Sequence, residues 1–282
     1  MENSVVALLR GTDNKELAYK ALKAIGAGEV VSSKKRVLIK VNITIIRTAE
    51  DGVTTDPRMV EGTIEFLKDQ GVKDIAIAEG GGCDVTQAFG ELGFNELARR
   101  QGVRLIDVNR EEGVLTKVPN PHFIPEFWIA KPVLEYDCLI SAPKLKIHAL
   151  WQTTLAMKNL MGLLARGKRG SIHREDRGVV DILQLLKPDL SIVDGVVGGE
   201  GHELWSKPVR MDLIIAGKDC VATDAVGAAV MGFSQNEMPR HIRIAQEMGF
   251  GTCDLDRIKM TGDLTISEAK KDFKRTGSRW HW

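Results

Sequence analysis

The sequence lacks the features that most directly assign a function. Its four cysteines, Cys83, Cys138, Cys220 and Cys253, are far apart and form no Cys-x-x-Cys pair, so neither a zinc ribbon nor a ferredoxin-type cluster loop is predicted. Aromatic residues are only 5% of the chain and the formal net charge is +1, which argues against a nucleic-acid-binding protein. Neither a Gly-x-Gly-x-x-Gly nor a Walker A motif is present, so no nucleotide signature is visible.

Long apolar runs and leader-like segments are also missing. No apolar run reaches the length that crossing a bilayer requires. The start, Met-Glu-Asn-Ser, lacks the basic and apolar regions of a signal peptide. We therefore expect a cytoplasmic protein that has reduced thiols and does not bind membranes.

The sequence does contain a regular alternation of predicted strands and helices. Apolar runs at 5–9, 36–41, 74–78 and 104–106 predict strands, and the segments between them predict helices. Hydrophobicity in the 36–41 run is continuous rather than alternating, which is typical of a strand covered on both faces. We predict an α/β fold with a mainly parallel, doubly wound sheet and helices on both faces. Further predicted strands lie at 136–140, 190–193, 211–216 and 257–261, and further helices at 179–186, 220–231 and 238–248.

One α/β unit is expected over residues 1–282, with an irregular insert around 109–132. Pro119, Pro121 and Pro125 interrupt that insert, so it is predicted to form a hairpin or a covering flap. A soft lobe boundary near 110–140 is the alternative. The sequence leaves open whether the protein forms a homo-oligomer.

The segment 141–162 is the most informative part of the chain. Its second half, 150–160, has a helical pattern that would place Trp151, Leu155 and Lys158 on one stripe. A lysine among packing residues should reach a carboxylate, a ligand or water, because burying an unpaired charge is costly. The alternative is a snorkelling lysine, with its stem on the core and its ammonium in water.

Polar residues follow several predicted strands at the point where each strand ends. They are Lys40 and Asn42, Glu79, Ser141 and Lys144, and Asp194. In an open parallel sheet, ligands bind beyond the carboxyl ends of the strands, so a shared site is predicted there. The alternative is that these residues only cap and turn the chain, which suits Asp194-Gly195 well and Glu79 poorly.

The residues after Glu79 and after Lys144 favour an anionic ligand. Gly80 and Gly81 would let backbone amides approach a ligand closely. Basic residues are concentrated between 144 and 177, where only Glu175 and Asp176 oppose them. Such a local excess of positive charge attracts an anion, and lysine and arginine suit carboxylate or phosphate. A solvated basic, mobile loop at 166–177 is the alternative.

Material for a metal site is present but carries no recognisable spacing. The candidates are His148, His173 and His202, with Glu79, Asp194 and Glu200. A metal would need ligands from remote segments, so the sequence leaves the metal, and any other cofactor, open. The C-terminal Trp280-His281-Trp282 is predicted to be a docking tail.

Several of these motifs together resemble one family over nearly the whole chain. They are Val37–Asn42, Thr54-Thr-Asp-Pro57, Glu79-Gly-Gly, Pro143-Lys-Leu-Lys-Ile-His148, Leu155-Ala-Met-Lys-Asn-Leu-Met-Gly162, Asp194-Gly195 and Asp219–Gly232. The chain is similar to the family catalogued as domain of unknown function 362, whose name implies no settled activity. Some members carry a fused ferredoxin-like iron–sulfur module, for which this chain has no cysteine run. The resemblance implies site positions at Lys40, Asn42, Glu79, Lys144, His148, Lys158, Asn159, Asp194 and Asp224.

The function predicted from these observations is an enzyme that performs acid–base chemistry on a small anion, for example proton transfer next to a carboxylate. Lys144 and Lys158 would hold the anion and stabilise developing negative charge. Glu79 or His148 would be the acid or base. The remaining ligand or cofactor contacts are expected at Lys40, Asn42, Gly80, Gly81, Asn159 and Asp194.

Two alternatives belong to other classes of protein. The first is a redox accessory or cofactor-binding protein that works with an iron–sulfur partner, and it predicts a bound chromophore or a reactive Cys83. The second is a non-catalytic scaffold, for which Lys158 would be dispensable to ligand binding.

Overall fold

A computed structural model describes residues 4–170, 172 and 175–276. His173 and the Trp280-His281-Trp282 tail lie outside the described residues. Apolar runs of the predicted kind form most of the strands. The strands are β1 (Ser4–Arg10), β2 (Arg36–Lys40), β3 (Asp74–Glu79), β4 (Arg104–Asp107), β5 (Gly113–Lys117), β6 (Glu126–Ala130), β7 (Cys138–Ser141), β8 (Lys144–His148), β9 (Gln152–Thr154), β10 (Leu190–Glu200), β11 (Lys207–Gly217) and β12 (Ile258–Gly262).

Ten of these strands form one mostly parallel sheet, as predicted. Its order is β12-β1-β11-β10-β7-β2-β3-β4, with β8 beside β10 and β9 beside β8. β2 pairs in parallel with both β3 and β7, whereas β11 is antiparallel to both of its neighbours. β5 and β6 form a separate antiparallel hairpin, which is one of the two forms predicted for the proline-containing insert. Strands from both sides of 110–140 therefore share one sheet.

Helices connect the strands and begin where the sequence provides caps. The Asp13 carboxylate accepts hydrogen bonds from the amides of Lys15 and Glu16, and Asp56-Pro57 opens the third helix in the same way. The helices are α1 (Asn14–Ala24), α2 (Gly28–Val31), α3 (Pro57–Asp69), α4 (Val85–Glu91), α5 (Phe94–Gln101), α6 (Ala156–Asn159), α7 (Val179–Leu186), α8 (Cys220–Val230), α9 (Arg240–Glu247) and α10 (Ile266–Ala269).

The sheet is buried on both faces. Leu38 belongs to one hydrophobic cluster, while its neighbours Val37 and Ile39 belong to a second cluster. Because successive side chains of a strand point to opposite faces, the two clusters lie on opposite sides of the sheet. This explains why the strand runs read as continuously apolar.

The helix predicted over 150–160 is wrong for its first half. The chain instead turns at 149–151 and pairs back as β9 against β8, with Lys146 opposite Thr154. The imidazole Nδ1 of His148 accepts hydrogen bonds from the amides of Leu150 and Trp151, at 3.1 and 3.3 Å, and so stabilises the turn. These backbone groups are used in the hairpin, so helical hydrogen bonding begins only at α6.

The glycine-rich segment 196–200 forms the second half of β10. It pairs with β11 beyond a bulge between Gly195 and Val197. A β-carbon on Gly198 would lie 3.0 Å from the carbonyl oxygen of Leu145, so the glycine permits close approach of the neighbouring strand.

Candidate functional site

A cavity of about 400 Å³ opens at the carboxyl ends of β2 and β3, beside the β8–β9 hairpin. Its inner wall is polar and buried, which is the composition expected of a site that binds a polar ligand. Six of the predicted site residues that carry functional side chains line it, together with Gly80 and Gly81. The six are Lys40, Asn42, Glu79, His148, Lys158 and Asn159.

Lys40 and Glu79 form a buried ion pair at the base of the cavity. The Lys40 Nζ lies 2.9 Å from Glu79 Oε1. Glu79 also accepts hydrogen bonds from the amides of Gly80, at 2.6 Å, and Ile43. Burial lowers the pKa of Lys40, and the adjacent carboxylate opposes this effect. The pair is thus internally compensated and connects the ends of two strands.

Asn159 attaches the segment after β9 to these strand ends. Its Nδ2 donates to the Lys40 carbonyl at 2.9 Å and to Ser141 Oγ at 3.2 Å, while its Oδ1 accepts from Lys40 Nζ at 3.1 Å. Asn42 Nδ2 lies 3.4 Å from the same Oδ1. Because Lys40 can only donate, the orientation of the Asn159 amide is determined by the network.

Asp224, in α8, holds the beginning of α6. Its carboxylate accepts the amides of Ala156, at 2.7 Å, and Met157, at 3.0 Å, which are otherwise unpaired at the helix start. Burial raises the pKa of Asp224 to about 8, against the effect of these two amides. The residue therefore positions the segment that carries Lys158 and Asn159 and does not itself line the cavity.

Lys158 is a cation of the cavity wall that has no carboxylate at ion-pair distance among the described residues. Its Nζ lies 5.3 Å from the centroid of the Trp151 ring, a cation–π contact. Across residues 4–170, 172 and 175–276, no hydrogen bond or ion pair to this ammonium is found. Burial lowers its pKa to about 8, the Glu203 carboxylate opposes this effect, and Lys40 and Arg169 add to it. The Trp151 ring also contacts the His241 ring in a tilted arrangement, at 5.3 Å between centroids. Burial lowers the pKa of the His241 imidazole to about 3.

Arg169 lines the cavity, whereas the sequence predicted it only as part of a basic loop at 166–177. Its guanidinium folds back to donate to the carbonyl of Leu164, at 2.7 Å, and to Asn109 Oδ1, at 2.9 Å. These acceptors are neutral, and burial lowers the pKa of Arg169. Arg169 therefore adds a cation to the cavity wall. Only the tertiary structure determines this position.

Lys146 was likewise predicted only as part of the local excess of basic residues. It lies on the same face of β8 as Lys144 and His148 and is fully buried. Its Nζ donates to the carbonyls of Val53, at 2.8 Å, and Glu203, at 3.3 Å, and to Thr44 Oγ1, at 3.2 Å. Burial, together with nearby Lys158, lowers its pKa to about 7. The Pro-Lys-x-Lys-x-His spacing was the available signal, because residues two apart share a strand face.

His148 lines the cavity in one defined tautomer. Its Nδ1 accepts two backbone amides, so the ring proton of the neutral imidazole is on Nε2. Nε2 lies 3.8 Å from Glu203 Oε1. Glu203 was not predicted from the sequence, and it also accepts the amide of Ala149 at 2.8 Å.

Lys144 and Asp194 meet each other but not the cavity. They are opposite in the β8–β10 register and form a buried ion pair at 2.9 Å. Asp194 Oδ2 also accepts the amide of Asp56, at 2.8 Å, which connects the start of α3 to the sheet. The pairing of parallel neighbours uses both charges structurally, so Lys144 has a different environment from the one expected of an anion ligand.

The glycines around the cavity allow close contact between chain segments. A β-carbon on Gly162 would lie 2.5 Å from Lys40 Cε and 2.8 Å from Glu79 Oε1. One on Gly81 would overlap the Ile43 carbonyl oxygen. The glycines after Glu79 are therefore required by packing in addition to any contact with a ligand.

Among the described residues there is neither a cluster of potential metal ligands nor a helix suited to span a membrane. In the part of the chain that the structure describes, histidine, cysteine, aspartate and glutamate side chains nowhere gather in threes in an arrangement suited to a metal ion. Within those residues, no helix combines the length and hydrophobicity needed to cross a membrane.

Two known proteins share features with this chain. The thylakoid-associated protein sll1697 of Synechocystis sp. (strain ATCC 27184 / PCC 6803 / Kazusa) is 24% identical over 230 residues, which are 76% of this chain and 68% of the relative. The lactate racemase apoprotein from Thermoanaerobacterium thermosaccharolyticum superposes with a TM-score of 0.46 and 15% identity, over 77% of this chain and 54% of that chain. That likeness is too weak to carry the racemase's activity to this protein.

The family resemblance seen in the motifs is confirmed by a match that covers most of the chain. The matched residues include Pro143–His148, which has the spacing Pro-Lys-x-Lys-x-His. They also include Lys158–Gly162, which forms a Lys-Asn-x-x-Gly block. The chain belongs to the family described as "Domain of unknown function (DUF362)", whose model matches residues 37–229.

Proposed function

We propose that the cavity binds a small anion, carboxylate or phosphate, and that Lys158 exchanges a proton with it. The observation that carries this proposal is the uncompensated Lys158 ammonium on the cavity wall. Lys40 and Lys144 are also buried, yet each has a carboxylate at 2.9 Å. An anionic ligand would supply to Lys158 the partner that the described residues do not.

Arg169 supports the same proposal. It contributes a second cation to the wall, and its hydrogen bonds go to neutral oxygens rather than to a carboxylate. Two cations on one wall would hold the two oxygens of a carboxylate and stabilise extra negative charge on them. A carbanion formed next to that carboxylate would place such charge on these oxygens.

Lys158 is suited to proton transfer because its pKa is about 8. A group with a pKa near neutrality has both protonation states available. Where Lys158 is neutral, Arg169 would hold the carboxylate, and the amine would accept a proton from the carbon next to it while the electron pair of that C–H bond moves toward the carboxylate. The ammonium so formed would return the proton to carbon, which is the proton-transfer step of an isomerase.

Glu79 and His148 have other roles in this proposal. Both oxygens of Glu79 are engaged by Lys40 and by backbone amides, so we assign it to holding the cavity base. The Nδ1 of His148 is engaged by two amides, so the imidazole presents an N–H and acts as a donor rather than a base.

The test is the binding of acetate and inorganic phosphate to Lys158→Met, measured by calorimetric titration. Methionine keeps an unbranched stem and removes the charge, so we expect the fold to persist and affinity to fall at least about tenfold. Lys73→Met, at an exposed lysine in the loop before β3, is the matched control and should bind like the wild type. Equal affinity in all three proteins would contradict the proposal and favour a scaffold.

Three expectations from the sequence remain predictions. They are partnership with an iron–sulfur protein, a homo-oligomer and a cytoplasmic location. One of the two signs of the redox alternative is a reactive Cys83. Burial, with Glu79 nearby, raises the pKa of this thiol to about 11, so the thiolate is scarce at neutral pH. We therefore favour the acid–base function.

A further inference from the structure

The cavity changes character from its base to its mouth. The residues of the base are buried and polar, and they include Lys40, Glu79 and Asn159. The more exposed lining residues, nearer the mouth, include the apolar side chains Ile45, Leu150 and Leu204. A cavity for a fully hydrated ion such as phosphate would gain nothing from an apolar mouth.

The mouth also displays large apolar side chains in water. Leu150, at the tip of the β8–β9 hairpin, is 49% exposed, and Ile45 and Leu204 are partly exposed. We define the apolar rim as Ile45, Leu150 and Leu204. Scattered exposed hydrophobic residues are ordinary, but here they come from three separate segments around one charged cavity.

We propose that the ligand of this cavity is an amphipathic anion, with its acid group on Lys158 and Arg169 and its apolar body on the apolar rim. This inference rests on the proposed function, because the rim is assigned relative to the cation site. Continuity between the rim and the cavity selects a soluble organic acid with several carbon atoms over an inorganic anion. Each methylene group that moves from water onto the rim would add affinity.

The experiment is calorimetric titration of the full chain with sodium acetate, butyrate, hexanoate and octanoate, and with inorganic phosphate. For the wild type we expect affinity to rise up to about fourfold for each added methylene. In the double variant Leu150→Ser/Leu204→Ser, acetate should bind as before and the rise should fall below about twofold for each methylene. Leu150 is exposed and Leu204 is partly exposed, so the fold should tolerate the substitutions.

A matched control and two contrary outcomes make the test specific. Leu134→Ser/Met248→Ser changes exposed side chains, 45% and 38% exposed, that do not line the cavity, and it should keep the wild-type series. Binding of acetate or phosphate without any dependence on chain length would overturn this inference and leave the proposed function standing. Failure of every anion to bind the wild type would overturn both.

A membrane lipid is the other source of an acid group with an apolar body. Co-sedimentation with vesicles of phosphatidylcholine and phosphatidylglycerol distinguishes it. Vesicle binding that requires Leu150 and Leu204, with no chain-length dependence for the soluble acids, would assign the rim to a membrane surface and overturn the inference.

Discussion

Three buried or partly buried lysines illustrate how the surroundings of one residue type decide its role. Lys40 and Lys144 each have a carboxylate at 2.9 Å and connect strands. Lys158 has an aromatic face and no carboxylate within ion-pair distance among the described residues. Removing one partner of a buried pair is costly, whereas an unpaired lysine beside a cavity is available to a ligand.

The titration of Lys158 predicts how anion binding depends on pH. The ammonium form of Lys158 is expected to bind the anion more tightly than the neutral amine, and the pKa of Lys158 in the free protein is about 8. Acetate affinity should therefore be nearly constant below about pH 8 and should fall by up to about tenfold per pH unit above it. The measurement is a series of calorimetric titrations between about pH 6.5 and pH 9.5, a range that spans this pKa.

Lys158→Arg is the companion variant for this measurement. Arginine stays charged over the whole range, so the variant should lose the fall above pH 8 if it binds. The groups that influence Lys158 electrostatically are Glu203, Lys40, Glu79 and Arg169. If the fall persists in Lys158→Arg, another group controls binding, and Lys146, whose pKa is about 7, would be the next candidate.

At the level of elements, short segments hold the cavity through close approach to the strand ends. α6 and the turn after it bring Asn159 and Gly162 against β2 and β3, while Asp224 of α8 accepts the first α6 amides. The Lys-Asn-x-x-Gly block is explained by this contact, since Asn159 bonds the Lys40 carbonyl and Gly162 leaves room for the Lys40–Glu79 pair.

Gly162→Ala should therefore be strongly destabilising. The added methyl group would lie 2.6 Å from Lys40 Nζ and 2.8 Å from Glu79 Oε1, so the buried pair would have to move. We expect the free energy of unfolding in denaturant to fall by about 2–4 kcal/mol. Gly170→Ala is the control, because no described atom outside its chain neighbours and its own helix lies within 4 Å of the added carbon, and it should change stability by less than about 0.5 kcal/mol. A similar small change in both variants would show that the site can relax around the methyl group.

For the whole molecule, the sheet joins distant parts of the chain. β1 lies between β11 and β12, and β7, which follows the 109–132 insert, pairs with β2 and β10. Both hydrophobic clusters extend along the sheet from its early to its late strands. Melting one half would expose unpaired strands and apolar surface of the other half.

We therefore predict one cooperative thermal transition for the full chain. Differential scanning calorimetry should give a calorimetric enthalpy equal to the van't Hoff enthalpy, which is the test of all-or-none unfolding. Two resolved transitions would instead support the alternative lobe boundary near 110–140.

Much of the architecture was predictable because its causes are local. Continuous apolar runs identified the parallel strands. Asp13 and Asp56-Pro57 are local sequence signals for helix starts, and the structure has helices beginning there. Strand-end reasoning also identified Lys40, Asn42 and Glu79, because the carboxyl ends of parallel neighbours meet at one edge. These inferences need only the period of a strand or helix and the direction of the chain.

The partners of each charge were decided only by the tertiary structure. Lys144 and Lys146 have the same sequence pattern, yet the β8–β10 register places Asp194 opposite Lys144, while Lys146 has neutral oxygen acceptors. The turn stabilised by His148 replaced a helix that propensity favoured. Arg169 lines the cavity, although the sequence around it has no periodic signal. Strand order, register and long-range hydrogen bonds determine which charges are compensated, and no local pattern in the sequence contains that information.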